Sequence, residues 1–215
     1  MTLTFCSDLT AADWIARSDL PWQRLVTFGP GGFDAYARLR LLPDPEHPGQ
    51  SENDVEAEDW RGEQLPRLFE TLAGYTTVPG DCYFLVWEGF GGGDPGTGLA
   101  EAVPRPDAVP GLAPARPTPG RPTPGRPKVV VPHREYWLFR GPLAEVGAWG
   151  MPESLPDETA PAFVWPADHA WCVALDVDPH WAGIGGRELL VERLTTDPRL
   201  DVVRADPAAS PPAYQ

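Results

Sequence analysis

The chain reads as an α+β protein: a mainly antiparallel sheet with helices packed on it, in a single domain with a proline-rich insertion. Three observations predict this. Apolar residues alternate with a period of two in several short runs, including Phe33–Leu42 and Ala170–Asp178. Two longer runs repeat at helical spacing, Leu65, Leu68, Phe69 and Leu72 in one and Leu189, Leu190, Val191 and Leu194 in the other. Between the halves, Arg116-Pro117-Thr118-Pro119-Gly120 is repeated at once as Arg121-Pro122-Thr123-Pro124-Gly125. Proline fixes φ and removes donors, so this segment supplies no core. The expected organisation is residues 1–98 as the first half of the domain, 99–127 as the insertion, 128–205 as the second half and 206–215 as a flexible tail.

Taken in order, Thr10 to Asp13 predicts a capping box before a short helix with Trp14 and Ile15. Leu25–Phe28 and Phe33–Leu42, joined by Gly29-Pro30-Gly31-Gly32, predict a β-hairpin whose Arg38 and Arg40 line the solvent face or one side of a groove, the solvent face being the leading expectation. Pro43 to Asp59 is polar, acidic and broken by prolines, hence an exposed loop. Gly62 to Ala73 predicts a helix, with Gly74 placed to end it in the left-handed conformation. Asp81–Glu88 is apolar on both faces, as an interior strand covered on each side would be. The glycine loop after it, Gly89–Gly98, has no following Lys and is interrupted by Asp94-Pro95, so it is not a phosphate cradle. Lys128–Pro132 and Glu135–Arg140 predict a strand or a strand pair, Leu143–Trp149 a short helix, and Leu200–Arg204 a last strand.

The stretch Phe163–Leu194 holds the densest signal. From Ala170 to Asp178, Trp171, Val173, Leu175 and Val177 point one way while Cys172, Ala174, Asp176 and Asp178 point the other. Gly183, Gly185 and Gly186 then predict a tight turn into a helix that ends at Asp197-Pro198.

Bulk properties exclude several functions. A net charge of −14 opposes binding to nucleic acid, which needs clustered Lys and Arg, and to anionic membrane. No apolar stretch approaches the length of a spanning helix, and the N-terminus lacks the basic start and apolar run of a signal peptide. The three cysteines are widely spaced with no Cys-x-x-Cys pair, which excludes a zinc ribbon and fits a reducing cytoplasm. No Gly-x-Ser-x-Gly elbow is present. Asp176, Asp178 and His180, with His169, would suit a divalent metal, but no companion cluster closes the shell, so no metal or cofactor is expected.

Two resemblances bear on function. VALDVDPHWAGIGGRELLVERL resembles the acyl-CoA pyrophosphate loop of the GNAT acetyltransferase family, a strand, then V-x-P-x-x-x-G-x-G, then a helix. That resemblance implies an acyl-CoA-dependent N-acyltransferase, the alternative reading. The chain departs from the pattern in lacking the basic residue before the first motif glycine. Only 29 residues follow Gly186, fewer than that family's remaining strands and helix require. VPHREYWLFRGPL, FVWPADHAWCVALDVD, the glycine pair and ELLVERLTTDPRLDVV together resemble a group of uncharacterised actinobacterial proteins. This resemblance covers the chain from Cys82 onward and transfers no catalytic residues. The leading expectation is a non-enzymatic cytoplasmic protein that binds a basic protein partner, in the manner of an immunity protein. Asp168, Asp176, Asp178, His180 and Trp181 are the expected partner-binding residues.

Overall fold

A computed structural model describes residues 3–55, 61–88, 126–145, 161–176 and 179–215; for 61–63 it describes the backbone alone. The fold class is the expected one. Among the described residues, nine strands form a single sheet in which every pairing is antiparallel. The strands are β1 (Thr4–Phe5), β2 (Ala35–Arg40), β3 (Cys82–Trp87), β4 (Val129–Val131), β5 (Arg134–Gly141), β6 (Phe163–Pro166), β7 (Trp171–Ala174), β8 (Trp181–Gly186) and β9 (Val202–Ala205). Their order across the sheet is β1-β5-β3-β6-β7-β8-β2-β9, with β4 sharing β5 as partner. The repeated pentapeptide and the Gly89–Gly98 loop lie outside the described residues.

Helices cover both faces. On one, α3 (Arg61–Ala73) and α4 (Glu188–Thr196) bury Leu65, Leu68, Phe69 and Leu72 with Leu190, Val191 and Leu194 against Phe84, Trp171, Val173 and Ile184. On the other, α1 (Asp13–Ala16) and α2 (Trp22–Phe28) bury Ile15, Leu25 and Val26 against Leu85, Leu138, Trp165, Cys172 and Ala174. The predicted alternation of β7 is therefore present, with both faces apolar because both are covered. Trp171 is fully buried, and its indole Nε1 donates to the Leu72 carbonyl at 3.0 Å, tying β7 to the last turn of α3.

Several local expectations are corrected. Leu25–Phe28 is not a strand but the second half of α2, so the first hairpin does not form. Leu25, Val26 and Phe28 are buried, and a four-residue apolar run is compatible with either element until the covering layer is known. Gly29, at φ +78°, ends α2 with its amide donating to the Leu25 carbonyl. Thr10 begins a 3₁₀ turn without capping α1 through its side chain; the Asp8 carboxylate accepts the Thr10 amide instead. Gly74 is not left-handed: α3 ends in tightened bonds, Gly74 N–H to the Thr71 carbonyl and Tyr75 N–H to the Leu72 carbonyl. Leu143–Trp149 is a 3₁₀ turn over Leu143–Glu145, and its remainder lies outside the described residues.

The largest correction concerns the glycines. Gly183, Gly185 and Gly186 do not form a turn; they are three of the six residues of β8, all buried. Their backbones pair on both sides, Gly183 with Arg38 and Ala174, Gly185 with Tyr36 and Cys172, and Gly186 with Ala35 and Trp171. Each is glycine because something occupies the place of its side chain. A Cβ on Gly183 would lie 2.0 Å from the Thr27 carbonyl oxygen, because α2 crosses β8 at backbone contact. The Phe33 ring fills the space over Gly185, and a Leu190 methyl that over Gly186. A ladder that engages the backbone groups on both edges leaves no row of free amides for a phosphate.

Candidate functional site

The four expected partner-binding residues that are described do not converge. Asp168 sits at one end of the sheet, in the turn between β6 and β7. Asp176, His180 and Trp181 belong to the opposite end, and Asp178 lies outside the described residues. Asp168 accepts hydrogen bonds from the Thr76 hydroxyl, the Thr77 amide and hydroxyl and the Ala170 amide. Burial pulls its pKa upward, but those donors, the Thr77 amide first, outweigh burial and hold the carboxyl below its usual range. Asp168 is thus a brace between two loops. Asp176 is past the end of β7, with its side chain only 8% exposed and both oxygens 3.4 Å from Arg134 Nη2. That guanidinium lies over the rings of Trp87 and Trp22. Trp181 is 3% exposed, packed on Phe28 with the Arg38 guanidinium over its ring. Of the small acidic strand face expected for a partner, Cys172, Ala174 and the Asp176 side chain are therefore internal.

His180 leads to a different surface. It is 4% exposed, and its Nε2 is 3.2 Å from Asp44 Oδ1. Asp44 also takes a two-pronged contact from Arg38, at 2.7 and 3.0 Å, and lies 3.5 Å from Arg40. Arg40 turns its Nε to Asp201 at 3.0 Å. Burial raises the Asp44 pKa, while hydrogen bonds from Arg38 and His180 and the charges of both arginines lower it further, leaving it below the ordinary carboxylate value. Arg38 and Arg40 thus do not line a wet strand face, as the period-of-two reading expected. β2 is an interior strand flanked by β8 and β9, and its polar end is folded under the following loop.

That loop, residues 43–55, is held from below by Asp44 and from the side by the C-terminal residues. The Tyr214 hydroxyl donates to the Pro43 carbonyl at 2.6 Å, its ring meets His180 edge-on at 4.8 Å, and the Gln215 amide donates to the Gln50 carbonyl at 3.0 Å. Within the loop, the Gln50 side-chain oxygen accepts the Glu46 amide, and Ser51 and Asp54 form a reciprocal capping box around a 3₁₀ turn at Glu52–Asp54. Glu46, Glu52 and Asp54 are exposed and have no ion pair among the described residues. Burial raises the Tyr214 pKa, and the charges of Asp44, Glu52 and Glu46 raise it further.

Elsewhere among the described residues, several acidic side chains are neutralised from within. Asp81 pairs with Arg140, Asp197 with Arg193 and Arg199, Glu188 with Arg204, and Glu88 and Glu135 share Lys128. By contrast, the segment from Asp44 to Glu63 holds eight acidic residues and a single arginine, Arg61, which concentrates half of the chain's excess charge in 20 residues. The sequence contained this signal, but an exposed polar loop does not disclose that residues 43–55 are tied to β2 and to the Tyr214–Gln215 segment. Among the described residues no group of three or more His, Cys, Asp or Glu is arranged to hold a metal, and no helix is long and apolar enough to cross a membrane.

Comparison with protein-family models, with curated proteins and with solved structures returns no match.

Proposed function

We propose that the protein is a non-enzymatic, immunity-like binding protein of the reducing cytoplasm that takes a basic protein partner on the acidic loop, residues 43–55. The observation that carries this reading is the group of exposed carboxylates, Glu46, Glu52 and Asp54, on the loop that the half-buried Tyr214 closes through the Pro43 carbonyl. Carboxylates without internal counter-ions are available to a partner's Lys and Arg, and their field speeds encounter. A tyrosine closing that loop offers a ring face to the same cations and an anchor of the kind enriched at interfaces. Because the loop is already tied to β2, His180 and the C-terminal residues, binding costs little ordering entropy. Three free cysteines, two of them buried, suit the proposed compartment.

The test separates a specific surface from bulk charge. Glu46→Lys/Glu52→Lys and Asp13→Asn/Asp19→Asn/Asp34→Asn/Asp206→Asn change the net charge equally. Once a stoichiometric basic partner has been recovered from a native extract and purified, the loop variant is expected to lose affinity by about 100-fold, with the charge-matched variant within about threefold. Equal losses from the two variants, or a partner that is not basic, would overturn the proposal.

A further inference from the structure

The end of the sheet opposite the acidic loop carries a second feature that the proposed docking role does not use. The turn Trp165-Pro166-Ala167-Asp168-His169-Ala170-Trp171 joins β6 to β7, and each of its polar and aromatic groups is fixed. Trp165 is fully buried and stacked on Tyr83, Asp168 is the brace already described, and the His169 amide closes the turn onto the Pro166 carbonyl. His169 itself is held at φ +53°, in the left-handed region that non-glycine residues seldom occupy. Its imidazole lies flat on the Trp14 ring, with centroids 4.1 Å apart and planes 17° from parallel. A strained residue persists where its surroundings over-determine it, and such residues cluster at ligand sites.

His169 lines a cleft of about 440 Å³, within the size range of small-molecule sites. Phe33 and Thr77 form further parts of the wall, and Asp34 and Arg187 bring two opposite charges to it beside Asp168, whose carboxylate is already engaged by Thr76, Thr77 and Ala170. Asp34 immediately precedes and Arg187 immediately follows the Ala35–Gly186 pair that ends the β2–β8 ladder, so both stand at the same end of neighbouring strands. Here Asp34 and Arg187 form no ion pair with each other or with any other described residue. Both charges are therefore open to a ligand between them, beside a preorganised imidazole and an aromatic wall.

The geometry points to a binding site for a small zwitterion of amino-acid size, its ammonium group on Asp34, its carboxylate on Arg187 and its side chain against Phe33 and His169. This site is independent of the acidic loop, so either can fail without the other. The experiment is a titration of the full chain, carrying isotope-labelled histidine, with the standard L-amino acids one at a time at millimolar concentration. His169 resonances are identified by their loss in His169→Gln. At least one amino acid is expected to shift them saturably. Asp34→Asn and Arg187→Gln should each weaken that binding about tenfold or more with the melting temperature unchanged, since each removes one charge-assisted contact from an exposed position. The N-acetyl and carboxamide derivatives of the same amino acid, each lacking one charge, should weaken to a similar degree. The inference is overturned if no amino acid shifts His169, if either variant binds within twofold of the parent, or if a derivative with one charge binds as well as the zwitterion.

Discussion

Gly183→Ala is expected to destabilise the protein by about 3 kcal/mol or more, at the upper end of overpacking effects in protein cores. The added methyl has nowhere to go. Its Cβ would lie 2.0 Å from the Thr27 carbonyl oxygen and 2.9 Å from the Phe28 Cα, both backbone atoms of α2. A side chain could rotate away, but a helix backbone must lift as a unit, and lifting α2 separates Leu25 and Val26 from the core they share with Cys172 and Ala174. For a chain of this size the corresponding fall in melting temperature is about 6–12 °C. Gly80→Ala is the control: nothing lies within 4 Å of its Cβ position, its φ is not positive, and a change within about 0.5 kcal/mol is expected. Thermal or urea denaturation of both variants decides the matter. If Gly183→Ala is as stable as the parent, α2 does not cross β8 as described.

Asp44→Ala is expected to cost about 2–3 kcal/mol, somewhat below the figure for breaking a fully buried ion pair because Asp44 remains 22% exposed. Removing it leaves the Arg38 guanidinium, whose side chain is 8% exposed, without its two-pronged acceptor, and takes from Arg40 one of its two counter-charges. The pH dependence gives a second readout. The Asp44 pKa is lower in the folded protein than its ordinary value of 3.8, so the folded state favours the ionised form. Its contribution is fully present above about pH 4–5, and is lost as pH falls through the folded-state pKa. The difference in stability between the parent and Asp44→Asn should therefore be constant near neutrality and shrink below about pH 4. Asp81, Asp168 and Asp197 share the same direction of shift and add to the acid sensitivity of both proteins, so the comparison isolates Asp44. A gap that stays constant down to pH 2 would contradict the assignment.

The architecture was legible in the sequence where a pattern ran long enough. The helix at Leu65–Leu72 appears as read because its period was sampled over several positions, and the strand Cys82–Trp87 appears as read because its apolar run is long and covers both faces. The β4–β5 hairpin appears for a related reason, two β-rich runs separated only by Pro132 and His133. Short runs failed. Leu25–Phe28 could not reveal a helix, since four apolar residues show neither period. Gly183, Gly185 and Gly186 misled for a deeper reason. Glycine marks either a backbone that needs unusual dihedrals or a place where another chain segment comes too close for a side chain. The two are alike in sequence, and the distinction rests on Thr27, Phe33 and Leu190, of which two lie about 150 residues away.

The same asymmetry governs the sites. Asp176, His180 and Trp181 stood out through residue type, and all three proved to be held inside by Arg134, Asp44 and Arg38. Glu46, Glu52 and Asp54 stood in a loop whose acidity was legible but whose closure was not. Their significance appears only once Tyr214, 160 residues or more downstream, is seen to close on Pro43. Burial and long-range pairing decide which charges are available to a partner, and neither is encoded locally.

The most direct test of the docking surface is amide hydrogen exchange of the protein alone and in complex with its purified basic partner, read at single-residue resolution. The prediction is new protection confined to residues 43–55 and the Tyr214–Gln215 segment, with the amides of Gly183, Gly185 and Gly186 already slow in the free protein and unchanged on binding. Protection that instead appears on another surface, with residues 43–55 exchanging as they do alone, would contradict the assignment of the acidic loop.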